Sequence, residues 1–236
     1  MENWFNTKYY HTLYKNRNEA EAKLFISNIL KELDPNASDV FLDLACGKGR
    51  HSLFINSLGF NVHGIDLSKR NIEHAKKKNN STATFQVHDM REDYINNHFD
   101  VCLNLFTSFG YFDDKNDNQL AVNTMSNSLK KGGKLIIDFM NVKKVIDNLV
   151  QNEIKTIDGI EFHLKRKVEN NFIIKEIQFT DHEKFTFFEK VNVLTLEDFN
   201  HLTNNSSLKI LKTWGDYNLN DFDINNSNRL IILAQK

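Results

Sequence analysis

The stretch Val40-Phe41-Leu42-Asp43-Leu44-Ala45-Cys46-Gly47-Lys48-Gly49-Arg50 constrains the fold more than any other part of the chain. Val40 to Leu44 are apolar except for Asp43, and so short an apolar run before a glycine turn predicts a buried central strand. Gly47 and Gly49 let the backbone turn sharply and face its N–H groups toward a ligand. From Arg50 the period becomes helical, with Leu53, Phe54, Ile55 and Leu58 on one side and Gly59 closing the helix. Strand, glycine turn and helix form the first half of a βαβ nucleotide site.

The glycine spacing narrows the ligand. Ala45, Gly47 and Gly49 alternate with other residues, and no third glycine completes the G-x-G-x-x-G fingerprint of dinucleotide sites. A phosphate loop would need G-K-[ST], but Lys48 is followed by Gly49. What remains is D-x-x-C-G-x-G, with the carboxylate of Asp43 at the strand end. A carboxylate there suits a ligand that carries an amino group or a cation. The arrangement resembles motif I of the class I S-adenosylmethionine-dependent methyltransferases, with Ala45 where many members have glycine. The resemblance implies an α/β fold with a Rossmann-like seven-stranded sheet and flanking helices. It also implies S-adenosyl-L-methionine as cofactor, S-adenosyl-L-homocysteine as product, and cofactor contacts at Asp43, Ala45, Cys46, Gly47, Gly49 and Arg50.

The later motifs follow in the same order. Val62 to Asp66 reads as the second strand, and Asp66 stands about 17 residues beyond Gly49, near the roughly 20 expected of an acid that takes a ribose hydroxyl pair. Ser68 serves as N-cap of a helix over Lys69–Lys78, which leaves Asp66 free for the ribose; Leu67 and Ser68 flank it in the cofactor site. Thr84 to Arg91 reads as the third strand. In the family its end meets adenine, which assigns Asp89, Met90 and Arg91 to the cofactor. Phe99 to Phe106 is the fourth strand, and Asn104, Leu105 and Phe106 end it beside the first strand, facing the reacting methyl. The following Thr107-Ser108-Phe109-Gly110-Tyr111-Phe112 is similar to the motif IV region of members that act on small molecules, and it lacks the N-P-P-[YF] and D-P-P-[YF] patterns of nucleic-acid and protein-amide methylases. Asp113, Asp114 and Asp117 read as caps of a helix over Lys115–Leu129, so no metal is expected. Lys130-Lys131-Gly132-Gly133 is expected to end that helix before a fifth strand over Lys134–Asn141.

The two flanking regions differ in kind. Residues 1–33 read as helical, and Tyr9-Tyr10-His11-Thr12-Leu13-Tyr14 resembles an N-terminal lid, whose aromatics Tyr10 and Tyr14 would close over the methionine end of the cofactor. Between residues 154 and 193, apolar and polar residues alternate with period two, which predicts an inserted antiparallel sheet with turns at Glu169-Asn170-Asn171 and Asp181-His182-Glu183. Thr195 then opens a helix with a capping-box pattern, and strands at Leu208–Trp214 and Leu230–Ala234 complete the main sheet. Gly215-Asp216-Tyr217 between them resembles a family loop near the substrate. The expected organisation is therefore a methyltransferase domain over residues 1–153 and 194–236, with an inserted β subdomain over 154–193.

Composition limits the partners. Lys plus Arg is 30 and Asp plus Glu is 31, which argues against a broad nucleic-acid footprint. No apolar run reaches ~18 residues, so no membrane span is expected. Cys46 and Cys102 lack metal-ligand spacing, consistent with a reduced, cytoplasmic protein. The expectation is methyl transfer to a small-molecule acceptor, with Tyr14, Tyr111 and His88 as candidate bases or orienters and a homodimer as a possible assembly. The competing readings are a non-catalytic cofactor-binding protein of the same fold, a methyltransferase on RNA or protein, and an oxidoreductase, which the glycine spacing disfavours.

Overall fold

The computed structural model describes residues 4–15, 19–78 and 82–236. Strands β1 (Val40–Leu44), β2 (Asn61–Asp66), β3 (Thr84–Val87), β4 (Phe99–Asn104) and β5 (Leu129–Met140) run parallel. With β10 (Lys209–Trp214) and β11 (Arg229–Gln235) they form a seven-stranded sheet in the order β10-β11-β5-β4-β1-β2-β3. β11 is antiparallel to both its neighbours. The chain leaves β1 toward β2 on one side and returns to β4 on the other, so the switch point lies between β1 and β4. Open α/β sheets bind ligands there, beyond the carboxyl ends of the strands.

Both faces of the sheet are covered because successive strand residues point to opposite sides. Leu42 and Leu44 of β1 pack with Ala121, Val122 and Met125 of α5 (Lys115–Ser128) and Phe199 of α7 (Leu196–Asn204). Phe41, on the other face, packs with Phe25, Ile26 and Ile29 of α2 (Glu19–Leu33), Ile55 of α3 (Arg50–Ser57), and Ile72 and Ala75 of α4 (Lys69–Lys78). Each large apolar side chain buried this way stabilises the fold by about 1.5–3 kcal/mol. The capping box at Thr195 is present, with Asp198 as its reciprocal partner.

The structure departs from the expected elements at four places. First, the N-terminal region is not one helix. A 3₁₀ turn at Trp4–Asn6 precedes α1 (Lys8–Leu13), capped by Thr7, whose hydroxyl accepts from the Tyr10 N–H at 3.1 Å. Residues 1–3 and 16–18 lie outside the described residues. Second, β3 stops at Val87, its last partner on β2 being Asp66, and Asp89 to Arg91 follow as loop. Third, Lys130 to Gly133 belong to β5 rather than to a helix end. Lys236 explains this: its carbonyl accepts from the Gly132 N–H (2.9 Å), and its N–H donates to the Gly133 carbonyl (3.0 Å). Fourth, a short helix α6 (Val142–Asp147) follows β5.

The insertion is a separate antiparallel sheet of four strands, β6 (Asn152–Ile157), β7 (Ile160–Glu169), β8 (Phe172–Thr180) and β9 (Lys184–Asn192). It begins two residues before the expected boundary. β6 comes from a two-residue turn at Asp158-Gly159, both at positive φ (50° and 79°), as tight hairpins prefer. Asn170 and Asn171 form the next turn in the same way, at φ 50° and 64°. One face of this sheet, carrying Phe162, Leu164, Ile177 and Phe179, packs on Trp4, Tyr9 and Leu13. α1 is therefore seated on the inserted sheet rather than on the main one.

Candidate active site

A cleft of about 960 Å³ opens at the carboxyl ends of β1, β2 and β4, bounded on its far side by α1. The turn after β1 forms its floor. The Cys46 N–H donates to the Ile65 carbonyl (2.9 Å) and the Gly49 N–H to the Cys46 carbonyl (3.0 Å), which fixes a tight loop between β1 and α3. The two glycines in that loop have different tasks. A Cβ on Gly47 (φ +57°) would meet nothing within 4 Å, so this backbone is open to the cleft. A Cβ on Gly49 (φ +76°) would sit 2.9 Å from the Phe85 ring and 3.1 Å from Ala75. Gly49 thus lets α3 and α4 pack closely and is not part of the cleft wall. Asn104, also expected at the site, lies behind the wall as well: it is fully buried and donates to the Leu44 carbonyl (3.2 Å).

The remaining expected residues line the cleft. Asp43, Ala45, Cys46, Gly47 and Arg50 come from the first loop. Asp66, Leu67 and Ser68 follow β2, and one Asp66 oxygen accepts from the Gly47 N–H (2.9 Å) while the other accepts from the Ser68 N–H (2.8 Å). The Asn71 side chain also donates to this carboxylate, which leaves an acceptor position for a ligand hydroxyl. The cap of α4 is Ser68, whose Oγ accepts from the Asn71 N–H (3.2 Å), so Asp66 does not serve that purpose. Asp89, Met90 and Arg91 line the next section, where the Arg91 guanidinium grips both Asp89 oxygens and also reaches Asp117 (2.7 Å). His88 is tied to the Glu92 carbonyl at 3.0 Å. Leu105 and Phe106 lie beyond the end of β4, and Tyr10, Tyr14 and Tyr111 close the opposite side.

The turn after β4 is strained and braced. Phe106 and Thr107 both adopt positive φ, 58° and 56°. Non-glycine residues hold that conformation only where the surroundings enforce it. Asp138, fully buried on β5, accepts from the Phe106 N–H (2.8 Å) and from Arg229 Nε (2.7 Å), and Arg229 Nη2 donates to Thr107 Oγ1 (2.8 Å). Tyr217 does not reach the cleft; it packs behind Phe106 (5.2 Å between centroids) and donates to Asp138 (3.3 Å). Phe106 carries the Arg50 guanidinium over its ring at 4.7 Å and stacks on His51. Arg50 and His51 lie 3.3 Å apart and so share one side of that ring. His51 itself escaped the reading of the sequence, as did Asn6, His11 and Asn71. Asn6 Oδ1 is a buried polar atom in this wall with no protein partner among the described residues, while His11 and Asn71 interact through their side chains.

Comparisons with known proteins agree with this fold. A crystal structure of an S-adenosylmethionine-dependent methyltransferase from Clostridium acetobutylicum ATCC 824 superimposes with a TM-score of 0.82, at 21% identity, over 96% of this chain and 95% of that one. The family profile described as "Methyltransferase domain" matches residues 41–133. The dTDP-3-amino-3,4,6-trideoxy-alpha-D-glucopyranose N,N-dimethyltransferase of Streptomyces venezuelae is 28% identical over 48% of this chain, a match that spans only 47% of that relative. The ubiquinone biosynthesis O-methyltransferase of Pelagibacter ubique (strain HTCC1062) is 30% identical over 173 residues, 70% of this chain and 68% of that relative. The chain belongs to the S-adenosylmethionine-dependent methyltransferase family.

The residues present fit the cofactor of that methyltransferase family. The space over the Gly47 Cα is open, the Asp66 carboxylate is held by the Gly47 and Ser68 N–H groups, and polar side chains line the wall. Asp43 adds a pH dependence. It is 1% exposed, accepts from Ser52 Oγ at 2.5 Å, and burial, reinforced by repulsion from Asp66, pushes its carboxyl up to about 7. Because the folded pKa is raised, the folded chain holds a proton that the unfolded chain has released, and this contribution to stability is lost as pH rises from about 4 to 7. A cationic ligand that needs the ionised carboxylate must displace that proton. Affinity for S-adenosylmethionine is therefore expected to fall by up to about tenfold per pH unit below neutrality. Calorimetry in two buffers of different ionisation enthalpy should detect the released proton at pH 6, and Asp43→Asn should abolish it. A flat affinity from pH 6 to 8 in the parent protein would remove Asp43 from the cofactor site.

Proposed function

We propose that this protein transfers the methyl group of S-adenosylmethionine to a small-molecule acceptor held between the main sheet and the α1–inserted sheet unit. The observation that carries this reading is the roofing of the cleft: Phe5 meets Tyr111 edge-on at 5.2 Å, so the N-terminal segment reaches across to the turn after β4. That geometry suits a compact acceptor better than a nucleic-acid or protein chain. Two relatives named for small-molecule substrates, an aminosugar nucleotide and a ubiquinone precursor, support the same class.

Asp66 would take the ribose hydroxyls, and Asp89, Met90 and Arg91 would border adenine. The Gly47 backbone and Asp43 would meet the methionine portion. The sulfonium makes the methyl electrophilic by itself, so the protein contributes alignment and exclusion of water. Tyr14 and Tyr111 stand on the acceptor side, and His88 orients the loop that carries Asp89.

The test is Asp66→Ala. Charge-assisted hydrogen bonds to a ribose contribute roughly 1.5–3 kcal/mol. The change should weaken S-adenosylmethionine and S-adenosylhomocysteine alike by about one to two decades in Kd. The parent protein should show no comparable affinity for NAD. Calorimetric titration of the three ligands decides: unchanged affinity in the variant, or tight NAD binding in the parent, would reverse the assignment.

A further inference from the structure

A buried polar cluster joins the inserted sheet to α1. Lys175 on β8 and Glu189 on β9 are directly paired across the strands. Their side chains are only 14% and 11% exposed, on the face that otherwise presents Ile177 and Phe179 to α1. Tyr14, which lines the cleft, donates its hydroxyl proton to Glu189 (2.6 and 2.7 Å to the two oxygens). Lys175 Nζ donates to the same Tyr14 hydroxyl at 2.5 Å and lies 3.4 Å from Glu189. Trp4 Nε1 completes the cluster by donating to Glu189 at 2.7 Å. Burying such a pair costs several kcal/mol per ion, and apolar residues of similar size would stabilise the contact as well. Stability alone therefore does not account for it.

The hydrogen-bond inventory suggests what does. A tyrosine hydroxyl has one proton to donate. Here that proton is committed to Glu189, so toward any further partner the Tyr14 oxygen can only accept. We propose that Lys175 and Glu189 are positioning residues that present the Tyr14 oxygen to an N–H or O–H group of the methyl acceptor. This rests on the methyltransferase reading above and narrows it: the acceptor is a protic nucleophile, an amine or a hydroxyl, rather than a preformed thiolate or carbanion. The charges set the sign of the local field. Glu189 attracts a donor at the Tyr14 oxygen and Lys175 opposes it; Arg166 on β7 and Lys155 on β6 add positive charge near Lys175, and burial lowers its pKa. The Tyr10 ring, 5.0 Å from that of Tyr14, brings no charge.

The probe is sinefungin, in which a carbon-bound ammonium stands where the sulfonium carries its methyl, compared with S-adenosylhomocysteine, which has nothing there. The expected ratio of affinities favours sinefungin about tenfold in the parent protein. Glu189→Gln should lower that ratio about tenfold, Lys175→Met should raise it, Lys175→Arg should restore the parent value, and Tyr14→Phe should bring it near one. S-adenosylhomocysteine should bind the Glu189 and Lys175 variants within twofold of the parent. If Glu189→Gln and Lys175→Met move the ratio in the same direction, or weaken S-adenosylhomocysteine equally, the cluster only fastens α1 and the proposal is wrong. If the parent protein binds no S-adenosylhomocysteine, the methyltransferase reading itself fails and takes this inference with it.

Discussion

Gly47→Val is expected to weaken S-adenosylmethionine binding at least a hundredfold, a loss of about 2.7 kcal/mol or more. Two effects combine. At φ +57° a β-branched residue is strained by roughly 1–2 kcal/mol. Its side chain would also project into the open cleft, where a ligand must approach the backbone. Gly132→Val provides the control, because Gly132 is likewise left-handed (φ +82°) and likewise free of neighbours within 4 Å, but lies in β5 away from the cleft. The two variants should lose similar stability in a thermal melt, and only Gly47→Val should lose the cofactor in a titration. Affinity within tenfold of the parent would mean that the first loop does not cradle it.

Arg229→Met is expected to give the largest loss of stability, about 3–5 kcal/mol, because it leaves the fully buried Asp138 carboxylate without its cation. For a chain of this size that corresponds to a fall in Tm of roughly 10 °C. The same change releases Thr107 and so loosens the left-handed turn after β4. Adding Asp138→Asn should recover part of the loss, since the two groups are coupled and their effects do not add. Thermal or urea melts of both single variants and the double variant measure the coupling. A cost below about 1 kcal/mol for Arg229→Met would show that water or a rearranged side chain replaces the ion pair.

The main sheet was legible in the sequence because its parallel strands are buried on both faces. Val40–Leu44 and Phe99–Asn104 read as short, mostly apolar runs bounded by turns, each interrupted by an aspartate. Asp43 and Asp66 stood out because a carboxylate at the end of such a run is costly unless it has a task. What stayed hidden depends on contacts between distant segments. Lys130 to Gly133 look like a helix end until the C-terminal Lys236 pairs with them. Tyr217 looks like a substrate residue until Asp138 claims its hydroxyl. His51, Lys175 and Glu189 carry no local signal: a histidine inside a helix and two charges in alternating strands are ordinary by themselves. Gly49 and Asn104 share motifs with cleft residues, but the Phe85 ring and the Leu44 carbonyl draw them into the interior.

The seating of α1 on the inserted sheet bears on how such an enzyme could change its diet. Tyr9 reaches Asp181 in the β8–β9 turn at 2.7 Å, Trp4 and Tyr14 reach Glu189, and Lys15 pairs with Asp158 in the β6–β7 turn. Residues 4–15 and residues 152–192, far apart in the gene, thus behave as one exchangeable part. A graft of the sheet alone from a relative would arrive with the wrong counterparts for Trp4, Tyr9 and Tyr14. Transplanted together, the two segments would carry a new acceptor preference onto an unchanged cofactor half, so a chimera with two crossovers should succeed where a simple loop swap misassembles.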